Sequence, residues 1–354
     1  KNEPVTNTES KYADYSDYQL GFTLGGPIVK NKVFFFVNGE MTRKSYPLGA
    51  KPGTAASNIT VDELNRILAV LDRVAPSYDA GKYLDINSET NSNKILAKVN
   101  WNINQRHKLI LRHSYTYGEN INISRSANAL RFYNNAYMFP STTNSTGLEL
   151  NSILKNNMSN KLSVGYTRVV DDRDPIGQDF PQVQINLTGG KSVTLGSEYS
   201  SVANKLVQDI FSFTDDFSIF RGDHTITFGT HNELYKFYNL FVQNIFGSYA
   251  YKSLENFETI GLPGEIAPTY YAKGYSFDQS DDPFQTKGAA NFKAMQLGFY
   301  VQDEYKVNDR FQITGGLRID VPLFPDKPAA NDLFNASYKL VHVATGQLPE
   351  SKIL

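Results

Sequence analysis

Residues 294–321 read AMQLGFYVQDEYKV, then Asn308-Asp309-Arg310, then FQITGGLRIDV. Met295, Leu297, Phe299 and Val301 share one face of an extended chain, and Gln296, Gln302 and Glu304 share the other. Past the turn, Phe311, Ile313, Leu317 and Ile319 oppose Gln312, Thr314, Arg318 and Asp320. Two-residue alternation on both sides of a tight Asn/Asp connection specifies a β-hairpin with one apolar and one polar face.

The same unit occurs four more times. YQLGFTLGGPIV turns at Lys30-Asn31-Lys32 into VFFFVNGEMTR, and NKILAKVNWNI turns at Asn104-Gln105-Arg106 into HKLILRHSYTYG. GLELNSILKN turns at Asn157-Met158-Ser159-Asn160 into KLSVGYTRVV, and NKLVQDIFSFTDDFSIF turns at Arg221-Gly222-Asp223 into HTITFGTHNELYKFYN. In the second unit Ile95, Ala97, Val99, Trp101 and Ile103 oppose Lys94, Lys98, Asn100 and Asn102; its return arm sets Leu109, Leu111, Tyr115 and Tyr117 against Lys108, Arg112, Ser114 and Thr116. Most arms exceed the usual globular strand of about 5–6 residues and suit the ~9–11 residues of a tilted strand crossing a bilayer.

A soluble antiparallel sheet with one wet face gives the same alternation. Loop lengths separate the two. Connections within hairpins are short, whereas those between hairpins cover roughly 44–92, 119–145, 172–203 and 241–293. Long irregular loops are uncommon in compact domains, and short turns alternating with long loops characterise outer-membrane barrels. The expectation is an all-β fold: a transmembrane antiparallel β-barrel segment of about ten strands, with all of residues 1–354 in one barrel domain. The first and last strands both run to the long-loop side, so further strands are expected beyond each, making this an arc of a larger barrel. One helix is expected in the first long loop, where Thr60 and Glu63 form a capping box ahead of Val61, Leu64, Ile67, Leu68, Leu71 and Val74, with Pro76 closing it.

Composition narrows the function. The 354 residues carry 35 Lys plus Arg against 36 Asp plus Glu, a net charge of −1 that provides no electrostatic footprint for nucleic acid. Cysteine is absent, which removes disulfides, thiol catalysis and zinc ribbons. Mean hydropathy is −0.40 and no apolar run approaches the ~18 residues of a membrane helix, a limit that does not touch β-barrels. No GxSxG, HExxH or phosphate loop occurs, so no enzyme is expected. His107 and His113 lie six apart on one strand, and His224 and His231 fall on opposite faces, so neither pair shares a metal. Asp171, Asp172 and Asp174, and again Asp278, Asp281 and Asp282, are oxygen-rich clusters that would suit calcium, although neither has EF-hand spacing and solvated loop charge is the commoner role; no other cofactor is expected.

The segment Leu24-Gly25-Gly26-Pro27-Ile28-Val29-Lys30-Asn31-Lys32-Val33-Phe34-Phe35-Phe36 resembles the LGGPI-(V/I)-K-(N/D)-K-x-FFF motif early in the barrel of Oar-like TonB-dependent receptors, the group with a carboxypeptidase-regulatory-like N-terminal domain. Gly298-Phe299-Tyr300-Val301-Gln302-Asp303-Glu304-Tyr305 and Gly315-Gly316-Leu317-Arg318-Ile319-Asp320 resemble a hairpin common in TonB-dependent receptor barrels. Read from the residues, Gly25, Gly26 and Pro27 should break the ladder near the turn, Phe35 should face outward with Val33 and Val37, and Phe34 and Phe36 inward.

The resemblance implies a barrel of about 22 strands in the outer membrane of a Gram-negative-type bacterium. It also implies a plug inside the barrel, an N-terminal box engaging TonB-ExbB-ExbD, surrounding outer-membrane lipids and a surface lipoprotein partner. The implied function is energised uptake of a large or scarce nutrient: a peptide, an oligosaccharide or a chelate. An adhesion, secretion or surface-assembly barrel and a passive porin are the rival readings. Lumen-facing candidates are Lys94, Lys98, Lys108, Arg112, Glu304, Arg318 and Asp320, which would dock a plug, pair with one another or line a permeation path. Loop candidates are Phe132, Tyr133, Tyr270, Tyr271 and Tyr275, with substrate contact and loop packing both open.

Overall fold

A computed structural model describes residues 14–275 and 288–327. In chain order the strands are β1 (Ser16–Val29), β2 (Val33–Pro47), β3 (Asn87–Asn102), β4 (His107–Asn122), β5 (Ala129–Arg131), β6 (Tyr137–Lys155), β7 (Met158–Asp172), β8 (Asp174–Pro175), β9 (Gln182–Leu187), β10 (Lys191–Leu195), β11 (Ala203–Arg221), β12 (His224–Val242), β13 (Ser248–Tyr251), β14 (Tyr270–Ala272), β15 (Ala290–Asn308) and β16 (Phe311–Leu323). Helix α1 (Val61–Val74) lies in the first long loop and α2 (Leu254–Glu258) in the last.

Ten strands follow one another in a single antiparallel ladder, β1-β2-β3-β4-β6-β7-β11-β12-β15-β16, with β8 added beside β6. Every expected hairpin is present, and arms reach 19 residues in β6, β11, β12 and β15. Among the described residues β1 and β16 remain the two edges of this sheet. The third turn is tighter than its sequence suggests. Met158, Ser159 and Asn160 belong to β7 opposite Lys155, Ile153 and Ser152, because a register shift between Ile153 and Lys155 absorbs the extra residue. Likewise the first ladder runs unbroken through Gly25, Gly26 and Pro27, and its irregularity comes one residue later, between Pro27 and Val29. Pro27 sits beside this irregularity at the turn end of β1, where a missing ladder donor is tolerated. Asn31 turns the chain at φ 62°, a left-handed conformation that Asn accepts at low cost.

The ladder contributes almost nothing to a conventional core. Its apolar face is open: Leu317 is 78% exposed, Ile319 67% and Phe299 55%. A contiguous apolar face of this size on an isolated sheet calls for an apolar surrounding. The polar face curls inward, so that Lys30 and Lys32 at the first turn line the same cavity as Tyr300 and Gln302 on β15.

The core instead lies in the long loops. The connections 48–86, 123–136, 173–202 and 243–275 pool into one module around a second sheet, ordered β14-β13-β9-β10-β5. Its buried residues include Leu64, Ile67, Val70 and Leu71 of α1, Leu130, Phe132, Ile185, Val193, Leu195 and Phe257. The α1 capping box forms as expected, with Thr60 Oγ1 accepting from Glu63 N–H (3.2 Å) and Glu63 Oε2 accepting from Thr60 N–H (2.8 Å). The loops therefore hold more structure than the single helix expected there: a second helix and six short strands, five of them in the second sheet.

Candidate functional site

Direct register carries one polar face across the ladder. From β3 onward, Lys98 lies opposite Arg112, Arg112 opposite Gly147, Gly147 opposite Gly165, Gly165 opposite Ser212, Ser212 opposite Glu233 and Glu233 opposite Gln296. Residues directly opposite in an antiparallel ladder point the same way, so these seven rungs form one inner wall. Phe34 and Phe36 join it opposite Asn100 and Lys98, whereas Phe35 lies opposite Val99 on the outer face.

Two hollows open on the wall. The larger, about 1190 Å³, sits at the short-turn end and is lined by Lys30, Lys32, Arg106, Lys108 and Lys161 against Asp216, with Tyr300 and Gln302. Its one carboxylate is already engaged, since Tyr300 donates its hydroxyl to Asp216. The smaller, about 500 Å³, includes Lys98, Arg112, Glu149, Gly147, Gly165 and Ser212. Its floor must be small. A Cβ on Gly165 would lie 2.5 Å from Ser212 Oγ, and one on Gly147 would lie 3.0 Å from Arg112 Nε, so the Arg112 side chain passes close over bare backbone.

The lumen-facing candidates separate into distinct roles. Lys94 is held by Glu40 at 2.6 Å. Lys98 and Arg112, like charges face to face, line the smaller hollow, and Lys108 lines the larger. Arg318 grips Asp320 through two hydrogen bonds (2.8 and 2.7 Å) while stacking 5.4 Å from the Tyr300 ring centre. Glu304 shares their face but lies opposite Thr225 and Thr314, four residues or about 13 Å along β15 from Tyr300. The basic patch thus divides between the two hollows and the Lys94–Glu40 ion pair, and the mixed patch is a local Arg318–Asp320 pair that leaves Glu304 apart.

The loop aromatics divide as well. Phe132 is fully buried and meets Tyr83 edge-on at 5.5 Å, so it is a core residue and leaves the set of contact candidates. Tyr133 is half-buried with the Lys82 ammonium 5.2 Å from its ring centre, and burial raises its hydroxyl pKa. Tyr270 and Tyr271 on the edge strand β14 are each 54% exposed, and Tyr275 beyond it is 70% exposed. Asp171 accepts from Ser141 (2.6 Å) and Asp172 binds Lys205 (2.5 Å); Asp278, Asp281 and Asp282 lie outside the described residues. Among the described residues no three acidic or imidazole groups converge on one point.

Sequence reading overlooked Arg125, whose Nε and Nη2 are buried without a hydrogen-bond partner. Burial lowers the pKa of this guanidinium, and the nearby Asp85 carboxylate opposes that shift.

The sequence matches the family described as "Outer membrane beta barrel domain" over residues 2–61 and 46–349. The chain belongs to this outer-membrane β-barrel family. The apolar outer face, the alternating long and short connections and the polar inner wall are therefore those of a barrel wall, located in the outer membrane. No curated protein sequence matches. Among solved structures the chain is similar to the outer membrane transporter YddB from Escherichia coli, with TM-score 0.53 and 12% identity over 87% of this chain and 34% of that one. It also aligns with the siderophore receptor PirA from Acinetobacter baumannii (TM-score 0.45, 12% identity, 88% of this chain and 37% of that one). The ferric-catecholate import receptor Fiu from E. coli K12 aligns similarly (TM-score 0.45, 10% identity, 88% and 41%). The chain spans about a third of the length of the YddB transporter, and likeness at this identity speaks to the fold.

Proposed function

We propose that this chain is part of the wall of a TonB-dependent importer of the Oar-like group, which takes up a solute too large or too scarce for passive pores. In this reading the strands beyond β1 and β16 complete a barrel of about 22, a plug occupies the inner wall, and TonB-ExbB-ExbD drives its movement. The observation that carries the reading is the polarity of the ladder's two ends. One end opens on a cation-rich cavity suited to hold an internal partner, and the other carries four pooled loops around a preformed core. The LGGPIVKNKVFFF motif adds the group, and likeness to a transporter barrel supports the architecture. The inner wall then has two roles: Lys30, Lys32, Lys108 and Lys161 face the plug, and Lys98 with Arg112 lie higher on the path.

The test is made on the full-length protein in a planar bilayer and in cells. The expected result is near-silent conductance, together with solute uptake that stops when a protonophore collapses the proton gradient. Steady ohmic conductance would establish a porin instead, and protein-dependent surface adhesion without uptake would establish a structural barrel.

A further inference from the structure

Charge on a lipid-facing surface is costly at the membrane centre and informative at its edges. On β15 the outward side chains run Asp303, Val301, Phe299, Leu297, Met295, Lys293. Asp303 and Lys293 are ten residues apart, about 33 Å of strand and roughly 25 Å along the membrane normal at a ~40° tilt. That is the height of the apolar band of such a barrel. Asp303 marks its lower edge, bound by His224 at 2.8 Å, and Lys293 marks the edge on the long-loop side.

At that upper edge a row of charge crosses four strands. Arg168 on β7 is opposite Asp209 on β11, Asp209 is opposite Lys236 on β12, and Lys236 is opposite Lys293 on β15. The row is about 14 Å long, three inter-strand steps of ~4.8 Å. Asp209 is already occupied: Arg168 Nη1 lies 2.7 Å from Asp209 Oδ1, and Tyr166 donates its hydroxyl to the same oxygen at 2.6 Å. Asp326 takes the Lys293 main-chain N–H at 2.6 Å. Among the described residues neither lysine ammonium has a carboxylate within ion-pair distance, although both are exposed and directly opposite one another. Like charges facing across a ladder destabilise it, so the pair favours a shared anion. Immediately below lie Tyr166, Phe211 and Leu234, each about 40% exposed, a surface suited to acyl chains.

We propose that Lys236 and Lys293, with Arg168 beside them, form a docking site on the outside of the barrel for a phosphorylated glycolipid of the outer leaflet. Its phosphate bridges the two ammonium groups, and its acyl chains lie on Phe211, Leu234 and Met295. The inference rests on the outer-membrane location and on the long loops facing outward. It is independent of whether the protein imports anything.

Native mass spectrometry of the full-length protein in mild detergent tests it. The probes are a bisphosphorylated lipid A, its dephosphorylated counterpart and phosphatidylglycerol. Lys236→Gln with Lys293→Gln should lower bisphosphorylated lipid A occupancy roughly thirtyfold, about fivefold for each cation removed from an anionic surface. The control Arg43→Gln removes an outward cation already bound to Ser92 O (3.0 Å) and Asn93 Oδ1 (2.8 Å), and should leave occupancy unchanged. Equal retention of the dephosphorylated lipid, or undiminished binding by the double variant, would overturn the site. Preference for phosphatidylglycerol would place the row in the other leaflet and overturn the glycolipid assignment. Neither result bears on the uptake and conductance experiment.

Discussion

Replacing Phe132 with Ala tests whether the pooled loops are one folded unit. Phe132 has no solvent exposure, meets Tyr83 edge-on, and donates its main-chain N–H to Thr194 O at 2.9 Å, tying the short 3-10 turn Tyr133–Asn135 to β10. Its ring sits in the same cluster as Leu130, Ile185, Leu195 and Phe257, contributed by three of the four long loops. Truncating a fully buried Phe to Ala costs about 3–5 kcal/mol in transfer and cavity terms. At ~1.4 kcal/mol per factor of ten, the open fraction of the module should rise roughly a hundred- to several-thousandfold, up to the limit set by the module's own stability.

The assay is limited proteolysis of the full-length protein, following cleavage in 48–86 and 173–202, with barrel integrity read from unheated gel mobility. Cleavage should accelerate by that factor while the barrel band stays folded. Phe132→Leu, which keeps most of the volume, should accelerate it about tenfold or less. Unchanged cleavage in Phe132→Ala would refute the reasoning, because the cluster would then not hold the loops. Simultaneous loss of barrel mobility would refute it differently, by showing that loops and wall unfold together.

Three further outcomes follow from particular atoms. Gly196→Ala should open the module far more than Gly190→Ala: both glycines have positive φ (84° and 73°), but a Cβ at 196 would stand 1.9 Å from Pro181 O whereas one at 190 meets nothing within 4 Å. Equal protease sensitivity in the two variants would contradict that packing. Phe299→Lys, near the middle of the apolar band, should destabilise the barrel by about 2–4 kcal/mol in urea titration in lipid vesicles, and Phe311→Lys beside the turn by about 1 kcal/mol or less. Acid should loosen the module selectively. Arg66 holds the Glu258 carboxyl below its usual value, while Lys191 and Thr60 hold Glu63 down against the opposing effect of burial. Because both are depressed in the folded state, the stability they add is present above the ordinary carboxyl pKa of about 4.5 and is lost as pH falls through the lower folded values. Hydrogen exchange in α1 should therefore rise below about pH 4.5, and Arg66→Gln should flatten that rise.

The ladder was legible because its signal is local. Each hairpin joins neighbours in sequence, period two identifies the faces, and Asn or Gly marks the turn, so all five could be read without knowing what surrounds them. The helix was legible for the same reason, through Thr60, Glu63 and a one-sided apolar stripe. The loop sheet was not. One local clue was available: Val183, Ile185 and Leu187 alternate, Thr188-Gly189-Gly190 turns at positive φ, and Val193 and Leu195 resume the alternation. β14 folds back antiparallel on β13 across an irregular stretch of one loop, and the last two joins, β5 on β10 and β13 on β9, are parallel pairings between separate loops, which no periodicity reveals. For that reason the sequence left Phe132 open between contact and loop packing; its burial depends on partners some 50 and 120 residues away. At the inner wall, alternation placed Lys94, Lys98, Lys108 and Arg112 on one face correctly. What it lacked was the neighbouring strand: Glu40 on β2 claims Lys94, and Gly147 on β6 provides the bed for Arg112.

The division of buried surface has a mechanical consequence. The wall's apolar side chains are desolvated by lipid, so its stability varies with the bilayer, whereas the loop module encloses its own core and needs no membrane to keep its shape. Arg66 clasps Glu258 at 2.7 Å and Arg73 reaches the carbonyls of Glu258 and Ile260, so residues nearly 190 positions apart are fixed at the mouth of the wall. A mouth built this way presents Tyr270, Tyr271 and Tyr275 from a set frame, and a ligand meeting them bears little of the ordering cost that free loops would impose. Movement then has to come from somewhere other than the module's interior. The remaining places are the short joins between the module and the ladder strands, or a separate body within the wall. For the import proposed above, a preformed mouth at one end and a cation-lined cavity at the other are the arrangement in which a separate body inside the wall does the moving.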